Sequence, residues 1–153
     1  MANTYSQVHL HFVFAPKYRQ ALIDNSWKTS LYKYITGIVE ARQHKMIAIN
    51  GMSDHLHMLV GFRTTQSIAD LMQDVKADSS QWINANRFCG SRFEWQAGYG
   101  VFSYSKSQVP DVIHYIQRQK EHHRKSTFRE EYLAFLEKFE VAYDERYIFK
   151  LPE

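Results

Sequence analysis

The stretch Gly51-Met52-Ser53-Asp54-His55-Leu56-His57-Met58-Leu59-Val60 decides how this chain is read. Residues 46–52 are β-favouring, Ser53-Asp54 is turn chemistry, and residues 55–62 are apolar again. That order predicts an antiparallel hairpin. On a strand, side chains at i and i+2 share a face. His55 and His57 therefore stand side by side, and Leu56 points the other way. Two adjacent imidazoles can bind one metal ion. The same spacing also fits two half-buried strand histidines with hydrogen-bond partners. His9-Leu10-His11 repeats the pattern, so the residues alone leave two candidate pairs.

Working outward, residues 5–14 read as a strand that stops at Pro16, with Lys17, Tyr18 and Arg19 at its exit. Residues 26–43 read as a helix capped by Ser26, with Leu31, Tyr34, Ile35, Ile38 and Val39 at helical spacing. Ser67 is placed to cap a second helix whose inner face carries Ile68, Leu71, Met72 and Val75. Residues 87–100 read as loop and 101–105 as a strand. Val109 to His123 reads as one helix with Pro110 in its first turn, where a missing N–H costs little. Thr127 or Ser126 caps a last helix through about Phe139. The order β-α-β-β-α-β-α-α predicts an α+β domain: an antiparallel sheet packed by helices, ferredoxin-like and RRM-like. Residues 1–153 are expected to form one domain, with an acidic C-terminal extension from about 130 to 153.

Composition closes several routes. At 44% hydrophobic and 23% charged residues, disorder is disfavoured. No apolar run approaches the roughly 20 residues of a membrane span, and residues 1–15 lack a basic n-region before an apolar core. The lone Cys89 suits a reducing compartment and excludes a zinc ribbon. A cytoplasmic, nucleoid-associated protein is expected. There is no phosphate loop, no Gly-x-Gly-x-x-Gly and no Gly-x-Ser-x-Gly. The net charge of +3 hides a segregation: residues 1–45 carry +4, residues 117–129 carry +4 and residues 130–153 carry −4. Local basic patches govern phosphate binding more than the total does.

The segment from 109 to 125 gathers chemistry. Tyr115 and Gln119 are four apart and stack on one helical face. His122 and His123 follow, among Arg118, Lys120, Arg124 and Lys125. A metal held by two histidines and a glutamine oxygen would polarise a phosphodiester. A nearby tyrosine could then attack phosphorus and keep the bond energy in a phosphotyrosine link, with no need of ATP.

Here the sequence resembles the single-catalytic-tyrosine transposases of bacterial insertion sequences, within the His-hydrophobic-His (HUH) nucleases. The resemblance runs from about Val8 to Phe149. Its strongest pieces are Gly51 to Val60 and Tyr115-Ile116-Gln117-Arg118-Gln119. Phe14-Ala15-Pro16-Lys17-Tyr18-Arg19, Trp95 to Ser103, Glu121-His122-His123 and Asp144-Glu145-Arg146-Tyr147 add to it.

The resemblance implies that His55 and His57 are the metal pair, Gln119 the third ligand and Tyr115 the nucleophile. It assigns no catalytic role to His9 and His11, and leaves His122 and His123 as helix-end or phosphate contacts. It implies a Mg²⁺ or Mn²⁺ ion and a single-stranded DNA substrate with hairpin ends. Lys17, Arg19, Arg118, Lys120, Arg124 and Lys125 are the expected DNA contacts. It further implies a homodimer whose sites are shared in trans, with Ala97-Gly98-Tyr99-Gly100 as the hinge that redirects the tyrosine helix. Rival readings are a metal-dependent hydrolase without a covalent step, a non-catalytic nucleic-acid module, and a domesticated relative that processes repeated chromosomal hairpins.

Overall fold

A computed structural model describes residues 3–17 and 22–144. Tyr18, Arg19 and the run Glu145-Arg146-Tyr147 lie outside the described residues. Four strands form one sheet: β1 (His9–Phe14), β2 (Lys45–Met52), β3 (His55–Gly61) and β4 (Gly100–Tyr104), in the order β2-β3-β1-β4 and antiparallel throughout. The expected hairpin is β2–β3, with Met52 paired to His55 across the Ser53-Asp54 turn. Gly51 is required there, because a Cβ would lie 2.2 Å from the His55 carbonyl oxygen.

Strand β3 is buried on both faces, and its alternation divides the molecule. Leu56, Met58 and Val60 join Leu10, Phe12 and Phe14 of β1 in the larger core. Helices α1 (Lys28–Ala41) and α2 (Ile68–Ala85) cover that core with Leu31, Ile35, Ile38 and Val39, and with Leu71, Met72, Val75 and Ile83. Ser67 caps α2 as expected, accepting the Asp70 N–H at 3.0 Å. Ser26 does not cap α1. It donates its N–H and hydroxyl to the Asp24 carboxylate at 3.0 and 2.5 Å, and Trp27 takes the cap position.

The other face is packed by α3 (Val109–Gln117), α4 (Gln119–His122) and α5 (Phe128–Lys138). The single helix expected over 109–123 is thus two helices. The joint is Arg118, at φ −100° and ψ 26°. Asn50 of β2 explains the break: its side-chain amide donates to the carbonyls of Ile116 at 3.0 Å and Gln117 at 3.3 Å. Those are the acceptors that the next turn of a continuous helix needs. Past the break, Gln119 opens α4 and is fully buried.

Helix α5 begins on a reciprocal box between Thr127 and Glu130. Phe128, Tyr132 and Leu136 join Val13, Ala15 and Phe102 in a second core. Tyr132 packs so closely on β4 that a Cβ on Gly100 would lie 2.7 Å from its ring. The expected hinge at residues 97–100 is also held: Lys76 Nζ donates to the carbonyls of Gln96 at 2.8 Å and Gly98 at 2.5 Å. The segment leads into β4, which is paired with β1. Between β4 and α3 runs only the 3-10 turn Lys106–Gln108, itself capped by Ser105 and Gln108. Among the described residues, no helix is long and apolar enough to cross a membrane.

Candidate metal and tyrosine site

The odd-numbered residues of β3 put His55 and His57 on the face covered by α3, α4 and α5. Both rings are fully buried. Asp54, in the turn, sets its carboxylate 2.7 Å from His55 Nδ1; the carboxylate accepts that N–H and leaves Nε2 facing inward. Gln119 Oε1 lies 3.0 Å from His55 Nε2. His57 Nε2 lies 2.9 Å from Glu131 Oε1, and His55 Nε2 is 3.7 Å from the same oxygen. The ligand atoms of His55, His57 and Glu131 all lie within 4.8 Å of one another. His123 Nε2 closes the ring, 3.2 Å from Gln119 Oε1 and 3.4 Å from Glu131 Oε2.

Tyr115 projects from α3 into this cluster. Its hydroxyl donates to Glu131 Oε2. Gln119 is one turn on, and its side-chain amide is 3.4 Å from the Tyr115 carbonyl. The structure therefore brings His55, His57, Tyr115 and Gln119 together within one chain.

The donor set fits a divalent cation. Two imidazole nitrogens, an amide oxygen and a carboxylate converge, and Asp54 already holds the far nitrogen of one ring. Burial pushes the His57 imidazole down to about 4, so the ring is neutral near pH 7, the form that binds metal. Burial alone would raise the Glu131 carboxyl, but hydrogen bonds from His123, His57 and Tyr115 outweigh it and hold the group well below the carboxylate range. Burial, with the Glu131 charge and hydrogen bond, pushes the Tyr115 phenol up. Burial pulls His123 down, yet its bond to Glu131 prevails and the imidazole is raised. A mixed N/O set of this kind suits Mn²⁺ better than Mg²⁺.

The expected DNA contacts are dispersed around this centre. Lys17 is half exposed and pairs with Glu94 at 3.2 Å. Arg19 lies outside the described residues. Arg118 is exposed at the α3–α4 joint. Lys120 shares a cavity of about 340 Å³ with Lys28, Asn25 and Asn50. Arg124 and Lys125 line a larger one of about 510 Å³ with Asp54 and His123.

Glu131 is what the sequence reading missed. The charge pattern places it in an acidic tail, yet it is 7% exposed and touches His57, His123 and Tyr115. The signal was available: Phe128, Glu131, Tyr132, Phe135 and Leu136 follow helical spacing, so an acid sits inside an apolar stripe.

The fold and this cluster define a small α+β protein with a two-histidine site and an adjacent tyrosine. Residues 4–119 match the family described as Transposase IS200 like. The chain belongs to that family, and its activity class is that of a transposase. It is 25% identical over 127 residues to the transposase for insertion sequence element IS200 of Salmonella typhimurium (strain LT2), covering 79% of this chain and 82% of the relative. The IS200 transposase of Salmonella typhi matches equally well, at 25% identity. Among solved structures, a Deinococcus radiodurans R1 protein assigned as a transposase superposes with TM-score 0.62 at 20% identity, over 78% of this chain and 95% of that one. A REP-associated tyrosine transposase bound to a REP hairpin superposes with TM-score 0.61 at 12% identity, over 80% of this chain and 73% of that one. These two share the fold. The matched family region stops at Gln119, before His123 and Glu131.

Proposed function

We propose that this transposase cuts and rejoins single-stranded DNA through a covalent bond to Tyr115. One observation carries the reading: a single carboxylate, Glu131, accepts from the Tyr115 hydroxyl on one oxygen and faces His57 Nε2 at 2.9 Å on the other. The candidate nucleophile is thereby tied to the candidate metal pair. His55, His57, Gln119 and Glu131 would hold Mg²⁺ or Mn²⁺. When bound, the cation supplies Lewis-acid polarisation of the scissile phosphate.

The remaining work falls to the chain. Tyr115 Oη attacks phosphorus as its proton passes to Glu131 Oε2. The bond from phosphorus to the 3′ oxygen breaks, that oxygen takes up the proton relayed from Glu131 through water, and a 5′-phosphate stays on the tyrosine. Attack by a 3′-OH reverses the sequence and returns the proton to Tyr115. Asp54 holds the His55 ring, and His123 braces Gln119 and Glu131. Arg118, Lys120, Arg124 and Lys125, with Lys17 and Arg19 further out, are the proposed phosphate contacts. A hairpin with a single-stranded flank is the proposed substrate, supported by the structural relative held on a REP hairpin.

A labelled hairpin of this kind, incubated with Mn²⁺, tests the reading. The wild type should give cleaved strand and a protein–DNA adduct. Tyr115→Phe should bind but lose cleavage by about 10⁴-fold or more, as removal of a covalent nucleophile does. Cleavage by Tyr115→Phe would instead establish a hydrolase without a covalent step.

We propose a site complete in one chain as the alternative to the trans-shared homodimer expected from the sequence. The support is that His55 and Gln119 of the same chain lie 3.0 Å apart. Mixing Tyr115→Phe with His57→Ala chains should leave the mixture inactive. Recovered cleavage would restore the trans arrangement.

A further inference from the structure

The first His-x-His pair has no part in the chemistry above, yet one of its members is fully enclosed. His11 is 0% exposed. It sits on β1 on the same sheet face as His57, diagonally across the strand pair in which Val13 faces His57. Its Nε2 lies 2.8 Å from His57 Nδ1. The rest of the ring is walled by Phe135, Tyr104, Phe102 and Tyr115, with centroids at 5.3, 6.1, 6.3 and 6.5 Å. Among the described residues, His11 Nδ1 has no hydrogen-bond partner.

We propose that His11 is a positioning residue that, when a cation binds, accepts the proton of His57 Nδ1 and so holds His57 Nε2 free for the cation. This rests on the metal reading above. A neutral imidazole carries one N–H and one lone pair. Only one proton fits between His11 Nε2 and His57 Nδ1. If His11 owns it, His57 carries its single proton on Nε2, donates it to Glu131 and offers no lone pair to a metal there. If His57 owns it, His57 donates to His11, and Nε2 is a ligand. The second state places the proton of His11 on Nδ1, within the aromatic wall.

The pair is therefore a two-position proton lock. Without a cation, the unpartnered Nδ1 favours the first state, because a buried N–H without an acceptor is rarer than a buried lone pair without a donor. With a cation, both rings switch tautomer, and the proton count is unchanged. His11 plays for His57 the part that Asp54 plays for His55, but through a neutral acceptor that can also donate. The two metal-facing rings are thus held by different chemistry: His55 permanently, His57 conditionally. An acceptor that cannot keep the proton should remove the condition.

The test uses Mn²⁺ binding to the DNA-free protein, followed by electron paramagnetic resonance, with thermal stability recorded alongside. His11→Leu keeps the apolar wall and removes the acceptor. Its Mn²⁺ affinity should fall about 10- to 100-fold, the range for loss of a residue that orients a ligand. His11→Gln presents an amide oxygen to His57 Nδ1 and should bind within about threefold of wild type. Nitrogen-15 shifts of His57 in the Mg²⁺-loaded wild type should show an Nδ1–H tautomer. Wild-type affinity in His11→Leu overturns the proposal, as does equal loss in both variants, which would indicate packing alone. A wild type that binds no Mn²⁺, or a His57→Ala variant that binds it normally, overturns the metal reading and this proposal together. Mn²⁺ binding that depends on His57 but not on His11 overturns only this one.

Discussion

The two faces of the sheet are made from alternate residues of the same strands, yet they answer to different demands. Leu56, Met58 and Val60 point into a core that is apolar from β1 through α1 and α2. His55 and His57, interleaved with them, point into a layer that holds Gln119, Glu131, His11 and His123. On the first face any set of apolar side chains of suitable volume would serve. On the second, each buried polar group needs a named partner, because an unpaired one is costly. The lesson is that stability and chemistry are separated by one residue of register. A slip of one position would exchange the two faces completely.

Neighbouring substitutions break that comparison most sharply. His57→Ala should reduce single-turnover cleavage at least about 100-fold, since loss of even an outer partner of a metal ligand costs about 10- to 100-fold. Leu56→Ala, one residue away, should keep the cleavage rate per folded molecule and lose about 2–5 kcal/mol of stability in urea unfolding. If both variants lost mainly stability, the histidine face would be structural too.

Glu131→Ala is expected next in size. It removes an acceptor shared by His57, His123 and Tyr115, so Mn²⁺ affinity should fall about 10- to 100-fold by calorimetry. Glu131→Gln, which keeps the shape, should recover part of the fold but not proton acceptance from Tyr115. Unchanged cleavage in Glu131→Gln would remove the carboxylate from the mechanism.

The smallest effect is on pH. The folded His57 is held down near 4, while the unfolded ring titrates near 6.5. The unfolded chain therefore takes up this proton first as pH falls, so stability is lost from about 6.5 down to 4. His11 is lowered by burial and adds to the decline, whereas the raised His123 opposes it. The melting temperature of the metal-free protein should drop by a few degrees between pH 7 and 4.5, less so in His57→Asn. A flat profile in the wild type would mean that the histidine face is open to water.

The hairpin, the Ser67 cap and the side-by-side placement of His55 and His57 were legible because each rests on local chemistry: turn residues, an N-cap oxygen, period two. The break at Arg118 was not, because its cause is Asn50, 66 positions away from the Ile116 carbonyl it binds. Glu131 was obscured by averaging, since a run of acids looks like a solvated tail until one member is placed on the apolar stripe. His11 was visible as a residue but not as a partner. Its contact with His57 needs the β1–β3 register, which no local pattern specifies.

Mapping the covalent adduct tests the central claim most directly. The wild type, incubated with Mn²⁺ and a hairpin carrying a single-stranded flank, is digested with protease and nuclease and examined by mass spectrometry. One modified peptide is expected, with a 5′-phosphate-linked nucleotide on Tyr115. Cleaved DNA with no adduct, or an adduct on another of the ten tyrosines, would contradict it.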